Sequence, residues 1–122
     1  MRHGKAVKKL GRKKEHRKAL LRNLLRALLT HSRIKTTLRK AKEVKKLADK
    51  IIAFAREDNL KNRRRAQQIL MDKKLVKKLF LEYAPLMRER TGGYCRLYRS
   101  GFRVGDNAEM AILELVAKPE KK

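Results

Sequence analysis

The chain has 122 residues, with 36 Lys or Arg against 12 Asp or Glu, and its formal charge of +24 opposes compaction unless anions absorb it. An apolar content of 42% is enough for the core of one ordinary domain, which argues against a wholly disordered basic tail. A single cysteine excludes an intramolecular disulfide framework and an all-cysteine metal site, and no stretch has the ~20 apolar residues of a membrane span or the apolar run of a secretory signal, so the cytosol is the expected compartment.

The opening stretch MRHGKAVKKLGRKK holds seven Lys or Arg and no acid. Its apolar residues are too scattered to anchor a core, so residues 1–13 are expected to form a flexible arm that orders only in the grooves of a polyanion. From Lys14 to about Leu29, Leu20, Leu21, Leu24, Leu25, Leu28 and Leu29 recur at helical spacing, while Lys18, Arg22 and Arg26 form a basic edge at steps of four. Thr30-His31-Ser32 breaks that pattern. Arg33 to Thr37 alternates and is β-branched, as a short strand requires, and Thr37 is placed to cap a second helix from Leu38 to about Arg56.

That second helix has a wide apolar stripe, Ala41, Val44, Leu47, Ala48, Ile51, Ile52 and Ala55, with Arg39, Lys40, Lys42, Lys45, Lys46 and Lys50 over most of its remaining surface. A shorter helix from Lys61 to Leu70 carries Arg63-Arg64-Arg65 in its first turns, where positive charge is unfavourable beside the helix dipole and calls for an outside partner such as phosphate. Asp72 caps a fourth helix, which Pro85 kinks or restarts. After Arg90 the period changes to two, with strands expected near Tyr94–Arg99 and Met110–Val116 and a polar connection between them. The prediction is an α+β fold: one compact domain over residues 14–117, a short basic tail at 118–122, and a small three-stranded mixed sheet packed against about four helices.

No reaction centre is visible. The chain lacks a Walker-type loop, a His-Glu-x-x-His helix and a nucleophile elbow. His3, His16 and His31 lie in or beside basic segments, where phosphate or solvent suits them better than a metal. Asp106, Glu109 and Glu114 could imitate a carboxylate cluster, yet turn capping and cross-strand pairing account for them. Cys95 reads as a buried small hydrophobe.

The charge is concentrated toward the N-terminus. Residues 1–50 hold nineteen bases against three acids, whereas residues 82–122 hold eight against six. A solvated helix face mixes signs, but the polar face from Arg39 to Lys50 sets six bases against Glu43 and Asp49, and Gly4 and Gly11 let the arm approach a surface closely. Binding to a phosphate backbone follows. Tyr94, Tyr98 and Phe102 suit either base stacking or core packing, and Gly92-Gly93 either a phosphate-binding bend or a strand start. Three classes remain open on residues alone: a protein of folded RNA, a nucleoid-type DNA-binding protein using the arm in the minor groove, and a small RNA-modifying or RNA-cleaving enzyme.

The stretches MRHGK, HRKALLRNL, RIKTTLRKAKEVKKLADK, NRRRAQQIL, LVKKLF, GGYCRLYR and GFRVGDNAEMAILELV together resemble the bacterial large-subunit ribosomal protein family seventeen, in order from Met1 to Val116. The resemblance implies a structural constituent of the ribosome in the cytoplasm. It would bind large-subunit ribosomal RNA near the polypeptide exit, with other ribosomal proteins as neighbours and no catalysis, cofactor, metal, small-molecule substrate or membrane. It further implies RNA-facing roles for Arg2, His3, Lys5, Arg12, His16, Arg17, Arg22 and Asn23. The same holds for Lys35, Thr36, Thr37, Lys40, Lys42 and Lys46 at the strand-to-helix junction, and for Arg63, Arg64, Gly93, Tyr94 and Arg96.

Overall fold

The computed structural model describes residues 14–90 and 92–117; the expected arm, residues 1–13, and the tail, 118–122, lie outside them. Leucine periodicity produces helix α1, Lys14–His31, whose Leu25, Leu28 and Leu29 are fully buried while Leu21 and Leu24 pack on the core's margin. The helix stops because Ser32 takes a left-handed φ of 67° and its N–H donates back to the Leu28 carbonyl at 2.7 Å. The Ser32 carbonyl then accepts from the Leu115 N–H at 3.0 Å, which turns the chain directly into strand β1, Arg33–Thr37.

Helix α2, Leu38–Ala55, follows without a loop. Thr37 stands at its N-cap with extended backbone, but its side chain makes no capping hydrogen bond, contrary to expectation. Thr37 still belongs to β1, where it pairs with Met110, so the sheet rather than the helix sets its orientation. Helix α3, Leu60–Leu70, is capped instead by Asn59, which accepts from the Asn62 N–H at 2.8 Å, and it ends where Met71 turns left-handed at φ 53°.

Asp72 caps helix α4, Lys73–Lys78, by accepting from the N–H groups of Lys74 and Leu75. The run then widens into one π turn, Leu79–Tyr83, where Ala84 donates to the Leu79 carbonyl, and continues as α5, Ala84–Met87. The wide turn precedes Pro85, which has no N–H to donate and whose ring would crowd the preceding turn of a regular helix. The fourth expected helix is thus continuous but changes its winding.

Strands β2, Cys95–Phe102, and β3, Glu109–Leu115, form a hairpin, and the sheet order is β1-β3-β2. Both pairings are antiparallel, so the sheet is not mixed as expected. The direction of β1 is fixed by the contact between Ser32 and Leu115, which starts β1 beside the end of β3.

On one face Cys95, Ala111, Leu113 and Leu115 are buried beneath α1 and α2, with Ile34 and Leu97 packed beside them. The opposite face carries Arg33, Lys35 and Thr37 on β1, Met110, Ile112 and Glu114 on β3, and Arg96 and Tyr98 on β2. The buried Tyr83 hydroxyl joins the two halves of the chain. It donates to the Leu29 carbonyl at 2.8 Å, so at the 2.6 Å contact with Ser32 the serine hydroxyl is the donor.

Candidate nucleic-acid interface

Helix α2 sorts its charges. Its apolar stripe is buried as expected, apart from the half-exposed Leu47, and both of its acids are turned to internal work. Glu43 is buried and accepts from Lys46 at 3.4 Å; Asp49 accepts from Lys45 at 3.0 Å and from the Tyr94 N–H at 3.1 Å. What faces solvent is therefore almost wholly cationic: Arg39, Lys42, Lys46 and Lys50 are exposed at steps of three and four.

The N-terminus of α2 adds a second element. Its first turn contains no acid and its Thr37 hydroxyl does not cap it, so the positive end of an 18-residue helix meets Arg39 and Lys40 rather than a carboxylate. Thr37, Leu38, Arg39 and Lys40, with Ala108 and Glu109 where the hairpin turn enters β3, line a recess of about 370 Å³ there. Lys35 is exposed one strand position before the buried Thr36, on the same face of β1 as Thr37. A helix N-terminus without a side-chain cap, beside Arg39 and Lys40, is an arrangement that can receive a phosphate, with Glu109 the one carboxylate among the described residues that line the recess.

The other expected contacts divide. His16 and Asn23 are exposed on α1, Arg17 is half-buried, and Arg22 is half-buried with a buried Nε that has no hydrogen-bond partner among the described residues. Lys18 and Arg22 border a groove of about 350 Å³ whose wall includes Leu21, Leu47 and Ile69. Arg26, read as part of the same basic edge, is committed elsewhere: it donates to the Leu70 and Met71 carbonyls at 2.7 and 3.0 Å and closes the C-terminus of α3. Arg2, His3, Lys5 and Arg12 lie outside the described residues.

The arginine block on α3 has internal partners that its sequence position did not reveal. Arg63 forms a two-pronged ion pair with Asp58 at 2.6 and 2.9 Å, which holds the Asp58 carboxyl below its ordinary range, and lies over the Phe80 ring; Arg65 lies over Phe54. Arg64 and Arg65 are exposed, and among the described residues Arg64 has no ring or carboxylate partner of this kind. It borders a recess of about 310 Å³ with Lys73 and Lys77 of α4, two cations that sequence reasoning passed over although their spacing of four places them on one helix face.

In the third group, Gly93 is exposed with φ 63°, a left-handed conformation that favours glycine, and Arg96 is exposed on the open sheet face. Tyr94 is a core residue, 1% exposed, its hydroxyl donating to the Arg90 carbonyl at 3.2 Å, so its ring cannot stack on a base in this structure. Thr36 is also buried. Tyr98 is exposed and its hydroxyl donates to Glu114 at 2.9 Å.

The carboxylates do not assemble into a centre. Asp106 pairs with Arg103, Glu109 with Arg99, and Glu114 accepts from Tyr98. Among the described residues no group of three or more His, Cys, Asp or Glu is placed to hold a metal, and no helix is long and apolar enough to cross a membrane. Burial pushes the Cys95 thiol up to about 12, with nearby Asp49 adding to it, which leaves sulfur protonated and unreactive.

A family model for ribosomal protein L17 matches residues 20–116. The chain belongs to that family. Ribosomal protein L17 is a large-subunit protein with a structural rather than enzymatic role, in keeping with cations spread over several elements instead of converging on a reacting bond. The L17 match begins within α1 and ends one residue past β3, so it takes in the α2 face, the recess at its N-terminus and the α3–α4 recess.

Proposed function

We propose that this chain binds large-subunit ribosomal RNA through the α2 surface and the recess at its N-terminus. Residues 1–13 extend the contact over neighbouring phosphates, in the cytoplasmic ribosome, near the polypeptide exit and beside other ribosomal proteins. The observation that carries this reading is the segregation on α2, where Glu43 and Asp49 are spent internally while Arg39, Lys42, Lys46 and Lys50 face outward. Folded RNA offers a protein mainly phosphates and 2′-hydroxyls, so cations on rigid elements are the suitable means of holding it. Lys35, Lys40 and Arg64 border the same kind of surface.

The test compares affinity for a structured large-subunit RNA fragment with affinity for duplex DNA of equal length, at one salt concentration, together with cosedimentation with large subunits washed in moderate salt. Preference for the RNA and retention on the subunit are expected. Equal affinity for duplex DNA and loss from washed subunits would favour a nucleoid-type role instead.

A further inference from the structure

The β2–β3 hairpin differs in chemistry from the rest of the chain. β1 pairs only as far as Met110, so beyond that residue the hairpin consists of one further strand pair, Phe102 with Glu109, and the turn over 103–108, with Ala108 and Glu109 beside the N-terminus of α2. The hairpin's end displays two large apolar side chains to solvent, Phe102 at 64% and Val104 at 98% exposure. In a chain of charge +24, every charged side chain here is neutralised by a neighbour: Arg103 meets Asp106 at 2.6 and 3.1 Å, and Arg99 meets Glu109 at 3.4 Å.

The tip also has a fixed shape. The Arg103 N–H donates to the Ala108 carbonyl at 2.8 Å, the Asn107 N–H to the Arg103 carbonyl at 2.9 Å, and the Ala108 N–H to Asp106 at 3.1 Å. Gly105 and Asn107 supply the left-handed conformations, φ 108° and 59°, that the turn requires.

We propose that this tip docks a neighbouring protein of the large subunit, inserting Phe102 and Val104 into an apolar recess on that partner. A surface that meets RNA must bring unpaired cations to phosphates, and this one has cancelled its own. Protein–protein interface centres are depleted of charge and built on aromatic and aliphatic anchors, and an anchor already held in its bound shape loses little freedom on docking. The bidentate Arg103–Asp106 pair is the strut that holds the anchors out.

The inference rests on the chain's place in the large subunit, and the experiment separates the two. Large subunits are prepared with Val104→p-benzoylphenylalanine in this chain and irradiated. The expected product is a protein adduct resistant to ribonuclease. An RNA adduct would make the tip an RNA wedge and overturn the proposal, as would the absence of any adduct. In parallel, the Phe102→Ser, Val104→Ser double variant should bind the RNA fragment within about twofold of wild type while its occupancy in salt-washed subunits falls severalfold. Unchanged occupancy overturns docking, whereas loss of wild-type chain from washed subunits overturns the ribosomal placement itself.

Discussion

Tyr83 illustrates how much one side chain settles. Its hydroxyl accepts from Ser32 and donates to the Leu29 carbonyl, both at the end of α1, while its ring fills the core below the sheet. Tyr83→Phe keeps the ring and leaves both partners unsatisfied in a buried site, so a loss of about 1–3 kcal/mol is expected in a urea titration. A variant as stable as wild type would mean that water replaces the hydroxyl. Cys95 gives a prediction of sign. Its folded-state pKa is raised from 9 to about 12, so its contribution is complete below pH 9 and is lost as pH rises toward 12, because the unfolded thiol ionises first. Stability measured from pH 8 to 11 should fall more steeply for wild type than for Cys95→Ala; parallel curves would show that the thiol is not held protonated by the fold.

At the scale of the element, α2 separates stability from binding. Ile51 is fully buried, and Ile51→Ala should cost about 2–5 kcal/mol; the half-exposed Leu47, on the wall of the α1–α3 groove, should cost less. Lys42→Ala should leave stability within about 0.5 kcal/mol of wild type and lower the dependence of log affinity on log salt by about 0.7–0.9 on the RNA fragment. One urea titration and one salt series per variant decide it; an unfolded Lys42 variant with intact RNA affinity would invert the two faces. These faces were legible in the sequence because apolar spacing records which side of a helix is buried. So were the three strands and the Asn59 and Asp72 regions as breaks, whereas the kink or restart expected at Pro85 is instead a π turn over Leu79–Tyr83 within a continuous helix. What spacing does not record is the long-range partner. Arg26, Arg63 and Arg65 looked outward until the carbonyls of Leu70 and Met71, the Asp58 carboxylate and the Phe54 ring were placed beside them. Tyr94 suited base stacking or core packing in the sequence, and the fold places it in the core, with Asp49 of α2 accepting from its N–H. The exposure of Gly93 and Arg96 agrees with the outward positions that the family resemblance implies, whereas the paired charges of the hairpin tip required the turn's geometry.

For the whole molecule the governing quantity is a charge of +24 on 122 residues, distributed so that the internal ion pairs cluster on α2, at the α3 entrance and along the hairpin. Those pairs let the body fold with part of its repulsion cancelled, and leave the remaining cations for a polyanion to neutralise. Residues 1–13 hold six Lys or Arg and no acid, so they add only positive charge. Removing residues 2–13 should therefore act on binding alone. Six cations each lying on a phosphate release counterions at about 0.7 to 0.9 per contact, so the slope of log affinity against log salt should become shallower by about 4 to 5. The thermal midpoint should not drop, because α1 begins at Lys14 and its buried leucines start at Leu25. The shortened chain should also retain measurable affinity, since Lys35, Lys40, Lys42 and Arg64 remain on strand and helix. Affinities of both forms for one large-subunit RNA fragment across a salt series, with melting curves beside them, test all three parts. An unchanged slope would show that the segment does not lie on phosphates, and complete loss of binding would show that the α2 surface cannot hold RNA without it.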